Sequence, residues 1–296
     1  MDRTAAHACD YTDLGPVTLP WTTRYRLRSD TVGQDFQIDV AWPLAALKDG
    51  QRLPLVLVLD GNHAFPGVAQ SARALQSGPF PMPPAVVVGI GYHFERGEDQ
   101  ARWGALRVRD FTPCSDALFE EQYPGAPVAP GGADAFLRFI EDELTPFLAE
   151  RLPINPDDRT LVGVSLGGFF ALHVLLSRPG AFRGCVAVSP ALFWGEGHVF
   201  RLEAELAARA TDLPASVFLA AGGLEEAHDA RNALVTNVYR LDSVLRSRRW
   251  PGLDLAMKVF EGENHMTAPS GAVIRGLGHV FGGYPDMDDW TRALRA

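Results

Sequence analysis

One stretch constrains this chain more than any other: Arg159-Thr160-Leu161-Val162-Gly163-Val164-Ser165-Leu166-Gly167-Gly168-Phe169-Phe170-Ala171-Leu172. Leu161 and Val162 end a short apolar run of strand type. Gly163-Val164-Ser165-Leu166-Gly167 fits G-x-S-x-G, and the apolar run from Phe169 to Leu175 is of helical type. A strand that turns sharply into a helix is the setting in which this motif presents a nucleophilic serine. The glycines let strand and helix approach around a serine whose backbone is held in a strained turn. Ser165 then projects its hydroxyl above a sheet, and the amide of Leu166, at the helix start, faces a developing negative charge. The pattern alone also arises by chance in a chain with 29 glycines, so its meaning depends on which partners follow.

The rest of the chain supplies an alternation of strands and helices. Residues 22–28 and 36–42 alternate polar and apolar positions, as two antiparallel strands would, with Asp30 to Gln34 as their turn. The continuous apolar runs 55–59 and 85–90 suit strands buried on both faces. Further strands are expected at 183–188, 216–220 and 255–260, and helices at 64–76, 133–152, 199–210, 230–248 and 270–281. Phe136, Phe139, Ile140, Leu144 and Leu148 share one face of the 133–152 helix, which Pro146 is placed to kink. Residues 92–132 show no periodicity and are expected to form a long loop bordering the site. With no repeat or linker, residues 1–296 read as one domain: an α/β fold with a mostly parallel sheet, an antiparallel N-terminal start and helices on both faces.

Composition narrows the function classes. A net charge of −9 and a pI near 5.4 argue against nucleic acid or an anionic membrane as partner. Cys9, Cys114 and Cys185 are scattered and suggest neither a disulfide framework nor a zinc site. The first residues lack the apolar core of a signal peptide, and no run approaches a membrane span. A soluble cytoplasmic protein is expected.

In a mostly parallel sheet, sites lie at the carboxyl ends of the strands. Four such ends carry polar chemistry: Asp60-Gly61-Asn62, Ser165, Glu225-Glu226 and His265. A serine hydroxyl needs a base, and the base an orienting carboxylate. Ser165, Glu225 or Glu226, and His265 keep the nucleophile–acid–histidine order of α/β-hydrolases. His265 alone of the eight histidines lies late in the chain directly after a strand. Glu225 is favoured as the acid over Glu226 and Asp229, which suit solvent or a helix N-terminus. Glu261, Glu263 and His265 fit no metal-binding spacing.

The chain resembles the enterochelin-esterase-like group of esterases, which includes feruloyl esterases, S-formylglutathione hydrolases and mycolyltransferases. The resemblance rests on Val58-Leu59-Asp60-Gly61-Asn62, Arg109-Asp110-Phe111-Thr112-Pro113, Gly131-Gly132-Ala133-Asp134-Ala135-Phe136, the run from Gly163 to Gly168, Val188-Ser189-Pro190-Ala191, and Phe260-Glu261-Gly262-Glu263-Asn264-His265. It implies an α/β-hydrolase fold, a serine hydrolase, and an oxyanion hole made by the Leu166 amide with that of Gly61 or Asn62. Some siderophore-esterase relatives work with a serine–histidine dyad, so the resemblance leaves the need for an acid open.

The expectation is therefore a serine carboxylic-ester hydrolase acting through an acyl-enzyme on a small-molecule ester, with no metal or organic cofactor. The alternatives are an acyltransferase and a non-catalytic interaction protein on the same scaffold. For recognition, Arg96, Arg102, Arg107 and Arg109 form a local positive cluster in an acidic chain. Either they pair with neighbouring acids and pin the loop, or Arg107 and Arg109 face the cleft with Trp194 and grip an anionic or aromatic substrate. The resemblance, through Arg109, favours the second.

Overall fold

The computed structural model describes residues 12–13, 15–45, 47–76, 81–95, 99–122, 129–228 and 230–282. The expectations for the first eleven residues, Arg96, Asp229 and the tail to residue 296 lie outside them.

Eight strands form one sheet: β1 (Thr22–Ser29), β2 (Gln34–Ala41), β3 (Leu53–Val58), β4 (Val86–Tyr92), β5 (Ile154–Val164), β6 (Gly184–Val188), β7 (Ala215–Gly222) and β8 (Leu253–Phe260). Their spatial order is β1-β2-β4-β3-β5-β6-β7-β8. The β1/β2 and β2/β4 pairs are antiparallel and every other pair is parallel. This is the mostly parallel α/β sheet with an antiparallel start expected of the alternating elements, and the α/β-hydrolase fold that the resemblance implies.

The strand side chains divide the core by period two. Leu55, Leu57, Val86, Val88, Cys185 and Ala187 enter one layer, while Val56, Val58, Val87, Val186 and Val188 enter the other. The second layer is covered by α1 (Gly61–Leu75) and α10 (Ala268–Val280), through residues such as Phe65, Val68, Val273 and Leu277. The first is covered by α2 (Gln100–Phe111), α4 (Ala133–Arg138) with the turns that continue it, α6 (Leu166–Ser177), α7 (Trp194–Arg209) and α9 (Leu234–Arg248). Three short helices, α3 (Ala117–Gln122), α5 (Thr145–Ala149) and α8 (Glu225–His228), complete the set.

Two sequence expectations need correction. Residues 92–132 are not a structureless loop, since they contain α2 and α3. The periodicity of α2 is hidden because its inward face includes Arg107 and Asp110, which count as polar but are neutralised by partners inside the fold. Asp99 caps this helix, accepting from the Arg102 amide at 3.0 Å. The 133–152 helix is not uniform either. Between α4 and α5 the segment Phe139–Leu144 winds as a π-helix. Pro146 has no N–H and its ring crowds the preceding turn; a wider turn just before it accommodates both, with Thr145 donating through its amide and hydroxyl to the Ile140 carbonyl.

Candidate active site

The site is assembled by strand ends that stop level with one another. Val164 pairs with Val188 and Val188 with Ala220, so Ser165 and Ser189 leave β5 and β6 side by side. The Ser165 amide donates to the Val188 carbonyl at 2.9 Å, and the Ser189 amide to that of Ala220 at 2.7 Å. One strand further, Gly222 pairs with Phe260, which sets the chain after β7 beside the chain after β8.

Ser165 has φ 59° and ψ −119°, a conformation that an L-residue adopts only when its surroundings hold it there. Here the hold is steric. A Cβ on Gly163 would overlap the carbonyl of Gly167 and lie 2.7 Å from the Gly168 nitrogen. Strand and helix therefore touch backbone to backbone under the serine. Leu166 is the first residue of α6, and its N–H belongs to the helical turn that has no intrahelical acceptor.

Glu225, at the start of α8, is 2 % exposed. One carboxylate oxygen accepts from the Ser189 hydroxyl at 2.6 Å and from the Gly222 amide at 2.6 Å. The other lies 2.8 Å from Nδ1 of His265. Burial opposes ionisation of this carboxyl. Hydrogen bonds from His265, Ser189 and the Gly222 amide outweigh it and hold Glu225 below the usual carboxylate range. Glu226 points elsewhere, accepting from the amide and hydroxyl of Thr236 at 2.7 Å each. The helical start sends adjacent side chains in different directions, so only one of the pair reaches the imidazole.

Ser165, Glu225 and His265 line one cleft of about 420 Å³ with Phe193, Asn232, Leu234, Asn264 and Met266. A hollow of about 450 Å³ elsewhere is lined by Arg26, Arg28, Asp35, Phe94 and Arg102, among others. It holds no nucleophile, and Arg26 is paired there with Asp35 at 2.5 Å.

On the far side of Ser165, Gly61 and Asn62 open α1 directly after β3. The Asp60 carbonyl accepts from the amides of His63 and Ala64, leaving those of Gly61 and Asn62 outside the helical ladder. The Asn62 side chain is tied to β4: its Oδ1 accepts from the Tyr92 amide at 2.7 Å and its Nδ2 donates to the Tyr92 carbonyl at 3.0 Å.

The three residues expected to contact substrate stand differently. Arg107 makes a two-pronged pair with Asp60, Nε and Nη2 each 2.9 Å from a carboxylate oxygen. Arg109 makes the same kind of pair with Asp110 at 2.6 and 2.9 Å. Asp110 in turn accepts from the hydroxyl of the buried Tyr92 at 3.0 Å. Both guanidinium groups are thus paired with acids of the chain, Arg109 with its neighbour and Arg107 with Asp60 from the end of the β3 segment. Trp194 is 3 % exposed and donates its indole N–H to the Cys114 carbonyl; it packs inward, and its neighbour Phe193 faces the cleft. Sequence reading missed Ser189, Asn232, Leu234, Asn264 and Met266. The short Val188-Ser189-Pro190-Ala191 match was the one signal for Ser189, the Phe260 to His265 match the one for Asn264, and the others carry no residue-type signal at all.

With the geometry described, the chain can be set beside known proteins. Residues 29–271 match the family described as "Putative esterase". The chain is 30 % identical over 276 residues to the ferri-bacillibactin esterase BesA of Bacillus subtilis, covering 91 % of this chain and 92 % of that protein. It is 28 % identical over 294 residues to the siderophore triacetylfusarinine C esterase of Aspergillus fumigatus, covering 91 % and 96 %. Among solved structures, the BES protein from Bacillus cereus superposes with a TM-score of 0.78 at 28 % identity over 93 % of this chain and all of that one. The siderophore hydrolase EstA of Aspergillus nidulans shares the fold, with a TM-score of 0.77 at 24 % identity over 90 % and 97 %. Among the described residues no helix is long and apolar enough to cross a membrane.

Proposed function

We propose, from the premise that this chain belongs to the "Putative esterase" family and is an esterase, that it hydrolyses a siderophore-like ester through an acyl-enzyme on Ser165. The observation that carries the reading is the cleft that Ser165 and His265 both line, with His265 held at Nδ1 by Glu225. Glu225 fixes the imidazole with Nδ1 protonated, leaving Nε2 as the base. Nε2 takes the Ser165 proton as Oγ bonds to the acyl carbon. The carbonyl oxygen becomes an oxyanion, held by the amides of Leu166 and of Gly61 or Asn62. The imidazolium returns its proton to the leaving alcohol as the C–O bond breaks. Water, deprotonated by the same nitrogen, then releases the acid.

The substrate class is supported by the named activities of the Bacillus and Aspergillus relatives. Phe193, Leu234 and Met266 offer apolar contact to the acyl or alcohol part, and Asn232 and Asn264 offer amide contact. A cytoplasmic location belongs to the same reading. The test is covalent labelling with a fluorophosphonate, alongside hydrolysis of ferri-bacillibactin and triacetylfusarinine C with and without an alcohol acceptor. Wild type labels at Ser165 alone and Ser165→Ala neither labels nor hydrolyses. Labelling at another serine refutes the mechanism, and faster transfer to the alcohol than to water assigns the acyltransferase reaction instead.

A further inference from the structure

Asp60 occupies the position before the first turn of α1, where an aspartate ordinarily caps the helix by accepting from the second or third amide. It does not do so here. Its side chain makes no capping hydrogen bond, and its backbone is left-handed, with φ 53° and ψ 40°. Both carboxylate oxygens are instead held by Arg107, at 2.9 Å each. The pair is largely enclosed, with 14 % of the Arg107 side chain and 12 % of the Asp60 side chain exposed. The guanidinium is fixed between two rings, 4.9 Å from the centre of Trp103 and 5.6 Å from that of Phe111.

A carboxylate released at this point would fall back on the helix N-terminus. It would accept from the Asn62 amide, which the helical ladder leaves without an acceptor, and set a negative charge where the oxyanion must form. We infer that Arg107 is a positioning residue: it holds the Asp60 carboxylate away from the first turn of α1 and so keeps the oxyanion-hole amides free. The inference rests on the oxyanion hole assigned above and replaces a substrate-gripping role for Arg107. It also explains why a chain that needs open amides can place aspartate, a strong capping residue, directly before them.

The experiment compares wild type, Arg107→Met, Asp60→Ala and the double variant on a p-nitrophenyl ester. Methionine keeps an unbranched apolar stem between Trp103 and Phe111. Arg107→Met is expected to lower kcat by about 10–100-fold, approaching the loss of one oxyanion donor, with KM changed less than about threefold. The double variant should regain about tenfold or more of that loss, because the carboxylate that blocks the amides is gone. A residue that only packs the loop predicts the opposite, a double variant as slow as Arg107→Met or slower, and that result overturns the inference. If Arg107→Met is not recovered folded, Arg107→Lys serves, since an ammonium lacks the planar two-nitrogen fork that matches both carboxylate oxygens. Its kcat should fall about three- to tenfold at an unchanged KM and melting temperature, and a wild-type kcat overturns the inference. Fluorophosphonate labelling of the wild type is run in parallel. Its absence from Ser165 refutes the acyl-enzyme mechanism, whereas normal labelling without recovery in the double variant refutes the role of Arg107 alone.

Discussion

Replacing Glu225 by glutamine tests the link on which the base depends. The carboxylate accepts from three donors: His265 Nδ1 at 2.8 Å, and the Ser189 hydroxyl and Gly222 amide at 2.6 Å on the other oxygen. Glutamine keeps the shape but only one acceptor oxygen. Two donors converge on one of the positions, so the amide oxygen settles there and its NH2 turns to His265. Nδ1 must then accept, and the tautomer inverts. Nε2 carries the proton, and the nitrogen that should deprotonate Ser165 can only donate. An orienting carboxylate lost in this way lowers kcat by about 10²–10⁴, or roughly 3–5 kcal/mol of barrier. Stability should respond less, because the ion that burial disfavours is removed along with its charged hydrogen bonds. The assay is steady-state hydrolysis of a p-nitrophenyl ester by Glu225→Gln and, as a control, Glu226→Gln, with thermal melting of both. Near-wild-type turnover in Glu225→Gln, folded and labelled by fluorophosphonate, would refute the orienting role and favour a serine–histidine dyad.

Two further outcomes follow from packing and protonation. Gly163→Ala drives a Cβ into the Gly167 carbonyl, and this overlap should destabilise the protein by about 3 kcal/mol or more; a melting temperature within about 2 °C of wild type would show that the elbow can open. His173 is 5 % exposed, and burial first, then His198 at 3.2 Å, lowers its pKa to about 4 against a weaker opposing pull from Asp134. The unfolded chain therefore binds a proton that the folded one refuses, and stability is lost as pH falls from about 6.5 toward about 4. His173→Phe should flatten that part of a urea-melt pH profile, and an unchanged slope would assign the acid sensitivity elsewhere.

Much of this protein is written in local patterns. The G-x-S-x-G stretch between a strand-type and a helix-type run locates the elbow, because close backbone packing around a strained serine requires glycine at those positions. The alternation of apolar runs gives a mostly parallel sheet and, through strand ends, the level at which Ser165, Glu225 and His265 stand. Three matters were decided only by the tertiary structure. Glu225 and Glu226 are equivalent in composition, and which of them reaches His265 is set by the direction each takes at the start of α8, where Ser189 and His265 arrive from the ends of β6 and β8 and Gly222 closes the preceding β7. Arg109 pairs with Asp110, one of the neighbouring acids visible in sequence, whereas the partner of Arg107 is Asp60, far along the chain after β3, which no local pattern indicates. The helix that carries them was invisible for the same reason: a buried ion pair erases the hydrophobic period by which an inward face is recognised. Local patterns report how a segment meets water or apolar core, whereas a charge satisfied by a distant partner, as Arg107 is by Asp60, depends on a contact no local window contains.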